Sequence, residues 1–236
     1  MKLDILAFGA HPDDVEISVG GTLISEARQG KKVGLIDLTR GEMGTRGTVE
    51  IRNQEAEEAR KIIGAVVRDN LEIPDAFLET NAENLEKVIR VIRKYQPEIV
   101  ITNAPTDRHP DHGHAASLVV DACFKAGLRK YKVDGTGENA WRPRVIYQYM
   151  QFYIHQAGFV YDISHVIDDK VACVLAHKSQ FFDPESKEPE TVISSPQFKE
   201  NLRARASEYG IQSGFDYGEP LMLIRLPGVK KLTELY

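Results

Sequence analysis

Four short apolar runs, at residues 5–8, 32–38, 66–73 and 98–102, alternate with stretches whose apolar residues recur at helical spacing. No other feature constrains the fold as much. Each run has the length of a strand, and the first, Ile5 to Phe8, has no polar face, as a strand buried on both sides requires. The intervening stretches, 14–30, 50–64, 81–95 and 111–126, read as helices. In the second of them Ala56, Ala59, Ile62 and Ile63 are expected on the inner face; in the third, Leu85, Val88, Ile89 and Ile92. The fold class that follows is α/β, a Rossmann-like, mostly parallel sheet with helices on both faces. Such winding orders the strands 3-2-1-4-5, so strands 1 and 4 are neighbours and the ligand crevice opens at their carboxyl ends. Further along, residues 130–143 read as a loop with Gly135 and Gly137 as breakers. Strands at 145–151 and 159–162 follow, then a helix at 164–179, a Pro- and charge-rich loop at 182–196, a helix at 197–210 and a last strand at 220–226. A chain of 236 residues suits one domain spanning 1–236.

Strands 1 and 4 both run into histidine and carboxylate. Gly9 and Pro12 break the first, leaving His11, Asp13 and Asp14 just past its end; the fourth is followed by His109, Asp111 and His112, with His114 beyond. Imidazole and carboxylate together are ligands for a divalent metal, zinc above all, and the same set accepts Fe2+. One such tetrad alone is a polar loop, but two at adjacent strand ends make a composite site. Asp13 and Asp14 are consecutive, so their side chains diverge, and one can ligate while the other faces the metal's water. Zinc brings the pKa of that water to about 7 in favourable sites, where a carboxylate takes its proton. A second donor steadies the tetrahedral oxyanion. The remaining downstream histidine is free for that task, with Asp111 placed to orient it or hold it protonated. The reaction class is metal-assisted hydrolysis of an amide or ester. For Asp14 the competing role is helix N-cap.

Other classes fit less well. A dinucleotide binder carries G-x-G-x-x-G after its first strand; here the turn reads Gly9-Ala-His-Pro-Asp-Asp14, whose carboxylates would repel a pyrophosphate. A non-catalytic metal- or sugar-binding module has no use for a spare carboxylate beside its ligands. The Gly-rich stretch 40–48 lacks the phosphate-loop pattern and reads as a flexible rim. The net charge of −5 argues against nucleic acid or anionic membrane as a partner. Cys123 and Cys173 lie in apolar helical patterns and read as buried thiols of a reducing compartment. No apolar segment approaches about 18 residues, and the first residues lack a signal-peptide pattern, so a cytoplasmic protein is expected. His177 reads as structural and Arg108 as the partner of a carboxylate.

Ala10-His-Pro-Asp-Asp14 and Asp107-Arg-His-Pro-Asp-His112, in this order and after strands 1 and 4, resemble the LmbE/PIG-L family of zinc-dependent N-acetylglucosaminyl deacetylases. The resemblance runs on through Ala176-His-Lys-Ser-Gln-Phe181 and Tyr217-Gly-Glu219, and is closest to the bacillithiol-biosynthesis deacetylases, which act on N-acetylglucosaminyl-malate. It implies His11, Asp14 and His112 as zinc ligands and Asp13 as general base. It further implies His109 as oxyanion stabiliser tuned by Asp111, with Arg52 and Asp75 as substrate contacts. A small-molecule N-acetylglucosamine conjugate as substrate and a homo-oligomer, a hexamer in that subgroup, are implied in the same way.

Overall fold

The computed structural model describes residues 1–133, 139–181 and 185–231. Gly135, Gly137 and the first residues of the 182–196 loop lie outside the described residues. The first half alternates as the pattern requires: β1 (Ile5–Gly9), α1 (Asp14–Arg28), β2 (Val33–Asp37), α2 (Val49–Ile63), β3 (Val67–Asn70), α3 (Ala82–Tyr95), β4 (Ile99–Asn103) and α4 (Pro110–Ala126). Then come β5 (Val145–Tyr149), β6 (Phe159–Asp162), a 3₁₀ turn at Ser164–Val166, α5 (Ile167–Leu175), α6 (Pro196–Gln212) and β7 (Gly218–Leu223). The strands form one seven-stranded sheet in the order β3-β2-β1-β4-β5-β7-β6. The first five strands are parallel, and β7 pairs antiparallel with both β5 and β6.

β1 and β2 are buried along their whole length because both faces of the sheet are covered there, whereas the edge strand β3 is half-buried. Along β1, Leu6 and Phe8 enter a core shared with α3 and α4, while Ile5 and Ala7 enter a second core shared with α1, α2 and α5. Phe8 is fully buried, and truncating such a side chain to alanine costs about 3–5 kcal/mol. Thr48 caps α2 by accepting from Ile51 N–H, and Asn81 caps α3 by accepting from Asn84 N–H. With β1 and β4 hydrogen-bonded in register, Ile5 opposite Ile99 and Ala7 opposite Ile101, the loops after them leave the same edge side by side.

Four sequence expectations change. Ile62 is 37% exposed, and the buried face of α2 is Arg52, Ala56, Ala59 and Ile63, one polar residue in place of one apolar. The third strand is shorter than 66–73, spanning Val67–Asn70, because Glu72 turns left-handed at φ 50°. The helix expected at 164–179 ends at Leu175, which leaves His177 in a turn. The last strand starts at Gly218 and inserts between β5 and β6. No described helix is long and apolar enough to cross a membrane. Cys123 and Cys173 are free and buried, as expected.

Candidate metal and catalytic centre

The loop after β1 turns back so tightly that the strand's last residue, Gly9, has to be glycine. A Cβ on Gly9 would lie 2.9 Å from the His11 carbonyl oxygen and 3.2 Å from Asp14 Cβ. Asp13 takes the N-cap position of α1 at φ 117°, a left-handed conformation that costs a non-glycine residue energy, and its side chain makes no capping bond. The alternative of Asp14 as the cap is therefore not realised. Asp14 is instead wrapped in donors. Its Oδ2 accepts from His11 N–H (3.0 Å) and Asn103 Nδ2 (3.3 Å), and its Oδ1 accepts from Gln151 Nε2 (3.0 Å).

Two histidines flank that carboxylate in the same way. His11 Nδ1 lies 3.6 Å from Asp14 Oδ2 and His112 Nε2 lies 3.2 Å from Asp14 Oδ1. The outer nitrogen of each ring meets a carboxylate of its own: His11 Nε2 to Asp75 Oδ1 at 2.9 Å, and His112 Nδ1 to Asp107 Oδ2 at 2.7 Å. This is how metal-ligating imidazoles are held, with the outer N–H donated to a carboxylate and the inner lone pair left for the ion. His109, half-buried at the N-cap of α4, completes the cluster, its ring 4.7 Å from that of His11 and 5.4 Å from that of His112. One ligand atom each from His11, His109 and His112 all lie within 4.8 Å of one another, as do atoms of His11, Asp75 and Asp111. Asp14 is in neither group but lies between His11 and His112, and the donors gathered here are of the kind a divalent metal takes.

Residues 6–123 match the PIG-L family, described as GlcNAc-PI de-N-acetylase. The chain is also 32% identical over 235 residues to a diacetylchitobiose deacetylase from Thermococcus kodakarensis, covering 95% of this chain and 84% of the relative. The chain belongs to the PIG-L family. Among solved structures, the conserved protein TT1542 from Thermus thermophilus superposes with a TM-score of 0.87 at 36% identity, over 98% of each chain. GalB of Pseudomonas putida KT2440, a 4-carboxy-2-hydroxymuconate hydratase, superposes with a TM-score of 0.79 at 24% identity, over 98% of this chain and 100% of that one. A fold shared with a hydratase does not choose the reaction; the side chains do.

In this PIG-L protein the remaining expected residues fall in three places. Asp75 reaches His11 and also accepts from Met43 N–H (3.0 Å), so the Gly-rich stretch read as a flexible rim is tied to the histidine–carboxylate cluster. Arg52 is buried and donates to the carbonyls of Pro12 and Gly41, each at 2.8 Å, with Nη2 3.6 Å from Asp13 Oδ2. It holds the backbone beside Asp13. Gly41, at φ +66°, leaves it room, since a Cβ there would come within 2.0 Å of Arg52 Nη1. Asp111 turns its Oδ2 to Ala76 N–H (2.8 Å) and lies 3.6 Å from His11 Nε2. What it gives His109 is its backbone N–H, to Nδ1 at 3.3 Å. Three isolated residues settle outside the cluster: His114 is exposed, His177 lies fully buried 3.2 Å from Glu16 Oε1, and Arg108 stacks on the Phe152 ring at 4.6 Å, where a carboxylate partner was expected.

The two adjacent carboxylates differ electrostatically. Burial raises Asp13 to about 6, against the pull of Arg52 and with the help of the Asp14 charge. Burial opposes the ionised form of Asp14 too, but His112 and His11 outweigh it and hold that carboxyl well below its usual value. His112 rises to about 9, because Asp14 and Asp107 overcome burial. His109 falls, through burial and then the charges of His11 and His112. The sequence reading overlooked Asp107, Asn103 and Gln151. Only Asp107 left a signal, its place five residues before His112 in Asp107-Arg-His-Pro-Asp-His112.

Proposed function

We propose that the protein is a metal-dependent amidohydrolase that removes the N-acetyl group from a small-molecule N-acetylglucosamine conjugate. The observation that carries this reading is the division of labour between neighbouring carboxylates. Asp14 is saturated by donors and faces two histidines, while Asp13 has no side-chain hydrogen bond among the described residues and is raised to about 6. That arrangement pairs a ligand with a base poised near neutral pH.

His11, Asp14 and His112 hold the metal, zinc in first place and Fe2+ as the alternative. When bound, it polarises the acetyl carbonyl and makes a water acidic enough to lose its proton near pH 7. Asp13 accepts that proton and later returns it to the departing amine nitrogen. His109 Nδ1 accepts from Asp111 N–H, so the proton of its neutral ring sits on Nε2, the donor for the developing oxyanion. Asp111 thus tunes His109 through its backbone. Arg52 keeps Asp13 in its left-handed turn and Asp75 orients His11; neither needs to touch substrate to matter, and contact with the sugar is the further role we assign them.

The malate conjugate is the first candidate substrate, on the resemblance to bacillithiol-biosynthesis deacetylases, and N-acetylated disaccharides come second, on the similarity to the diacetylchitobiose enzyme. We place the whole chain in one cytoplasmic deacetylase domain that assembles as a homo-oligomer, a hexamer in that subgroup. The test is amine release from N-acetylglucosaminyl-malate, diacetylchitobiose and free N-acetylglucosamine, with and without chelator. Chelator-sensitive release favouring the malate conjugate supports the full reading. Release favouring the disaccharide keeps the deacetylase and discards malate. No release from any of the three, by protein shown to hold metal, contradicts the deacetylase.

A further inference from the structure

Helix α1 carries Asp14 on its first turn, yet it is not one continuous helix. Val19 sits at φ −133°, ψ 18°, outside the helical range, so residues 14–18 and 20–28 are two segments meeting at a break. Helix interruptions of this kind have causes, and one of them is a side chain inserted in the hydrogen-bond ladder. Here two are inserted. In an unbroken helix Gly21 N–H would reach Ile17 O and Thr22 N–H would reach Ser18 O. Instead Gly21 N–H donates to Glu219 Oε1 at 3.0 Å, and Thr22 N–H and Oγ1 both donate to Glu219 Oε2 at 2.6 Å. On the other side, Lys170 Nζ donates to Ile17 O at 2.9 Å and Glu16 O at 3.3 Å, and it also pairs with Glu219. Both side chains are 3% exposed.

The second segment is clamped separately. A Cβ on Gly20 would lie 2.9 Å from Cys173 Sγ, and one on Gly21 would lie 2.9 Å from Ile163. Those two glycines let residues 20–28 dock hard against α5 and the turn before it, which sets their direction without reference to the metal cluster. The break lets the first turn point elsewhere.

From this we infer that Lys170 and Glu219 are positioning residues for the metal centre: the pair spliced into α1 sets the tilt of the turn that presents Asp14. The inference rests on Asp14 being a ligand. Remove the pair, and the ladder can close into a straight helix that carries Asp14 away from His11 and His112.

The experiment is the apparent Zn2+ dissociation constant, by competition with a chromophoric chelator, alongside the thermal midpoint. It uses the full chain as wild type, Lys170→Met, Glu219→Gln and the double variant Lys170→Met/Glu219→Leu. Replacing both members of a buried pair by apolar residues is often neutral for stability, so the double variant separates folding from positioning. Its expected midpoint is near wild type, with Zn2+ held at least about tenfold more weakly, in the range known for outer-sphere partners of metal sites. Glu219→Gln, nearly the same shape, is expected to weaken Zn2+ binding about tenfold, and it carries the test if the double variant does not fold. Folded variants that bind Zn2+ as wild type does, whatever their midpoints, overturn the inference. Wild type that binds no Zn2+ overturns the ligand assignment itself, a failure visible before any variant is made.

Discussion

Two buried clusters of charge flank the first turn of α1, and they are built for opposite ends. On one side Glu16 and Asp37 close on Arg68, whose Nε and Nη2 fork onto Asp37 at 2.7 and 2.8 Å while Nη1 pairs with Glu16. On the other, Asp13 and Asp14 face histidines, and the nearby arginine, Arg52, spends two N–H groups on backbone carbonyls. Burial is equally deep and pushes every one of these carboxyls upward. For Glu16 the permanent charge of Arg68 and then His177 overwhelm it, and the group falls to about 2, while for Asp37 burial outweighs Arg68 and the group stays raised. For Asp13 burial prevails and the group rises to about 6. A cation that is always present closes a cluster and makes it scaffold. Groups that can give up their protons leave a cluster open to a metal and to proton transfer.

That contrast can be broken from either side. His112→Ala removes a proposed ligand, and we expect it to abolish both bound metal and measurable turnover while the protein still folds, as shown by metal analysis and circular dichroism on one sample. Arg68→Met strands Asp37 as a buried charge and leaves Glu16 with His177 alone, an expected loss of about 3–5 kcal/mol in urea unfolding, with metal affinity of the folded protein unchanged. Asp107→Asn keeps the shape but weakens the hold on His112, for an expected loss of about 10–100-fold in metal affinity. A wild-type affinity in that variant would mean that His112 does not depend on its outer carboxylate.

The smallest effect concerns pH. Glu16, depressed in the fold from 4.5 to about 2, contributes stability that is present above its usual value and lost as the pH falls toward 2. Asp13 runs the other way: raised from 3.8 to about 6, it favours the fold while protonated, and that contribution is lost as the pH rises through 6. Metal-free Asp13→Asn is therefore expected to be more stable than wild type by about 1–3 kcal/mol at pH 7.5, a gain that fades by pH 4. Equal stability at both pH values would show that the Asp13 charge carries no burial penalty.

The parallel half of the sheet and both tetrads were legible because periodicity and punctuation are local. Ile5 to Phe8 has no polar face, and Gly9 and Pro12 mark where it ends. The winding rule then brings the loops after strands 1 and 4 together. The remainder depended on contacts between distant parts of the chain. Gln151 meets Asp14 across 137 positions and Lys170 meets Glu219 across 49, and neither residue announces its partner. The insertion of β7 between β5 and β6 is equally silent, since a strand's own pattern does not name its neighbours. Arg52 and Asp75 were expected to contact substrate, but whether an arginine or aspartate faces substrate or a neighbouring loop is decided by packing. Here they face Pro12, Gly41 and His11.

The division of labour between Asp13 and Asp14 is tested most directly by measuring metal content and turnover on a single preparation of Asp13→Asn. The expected result is wild-type metal with turnover reduced about 10²–10⁴-fold, the usual contribution of a general base. Turnover near wild type, or loss of the metal together with activity, would contradict it.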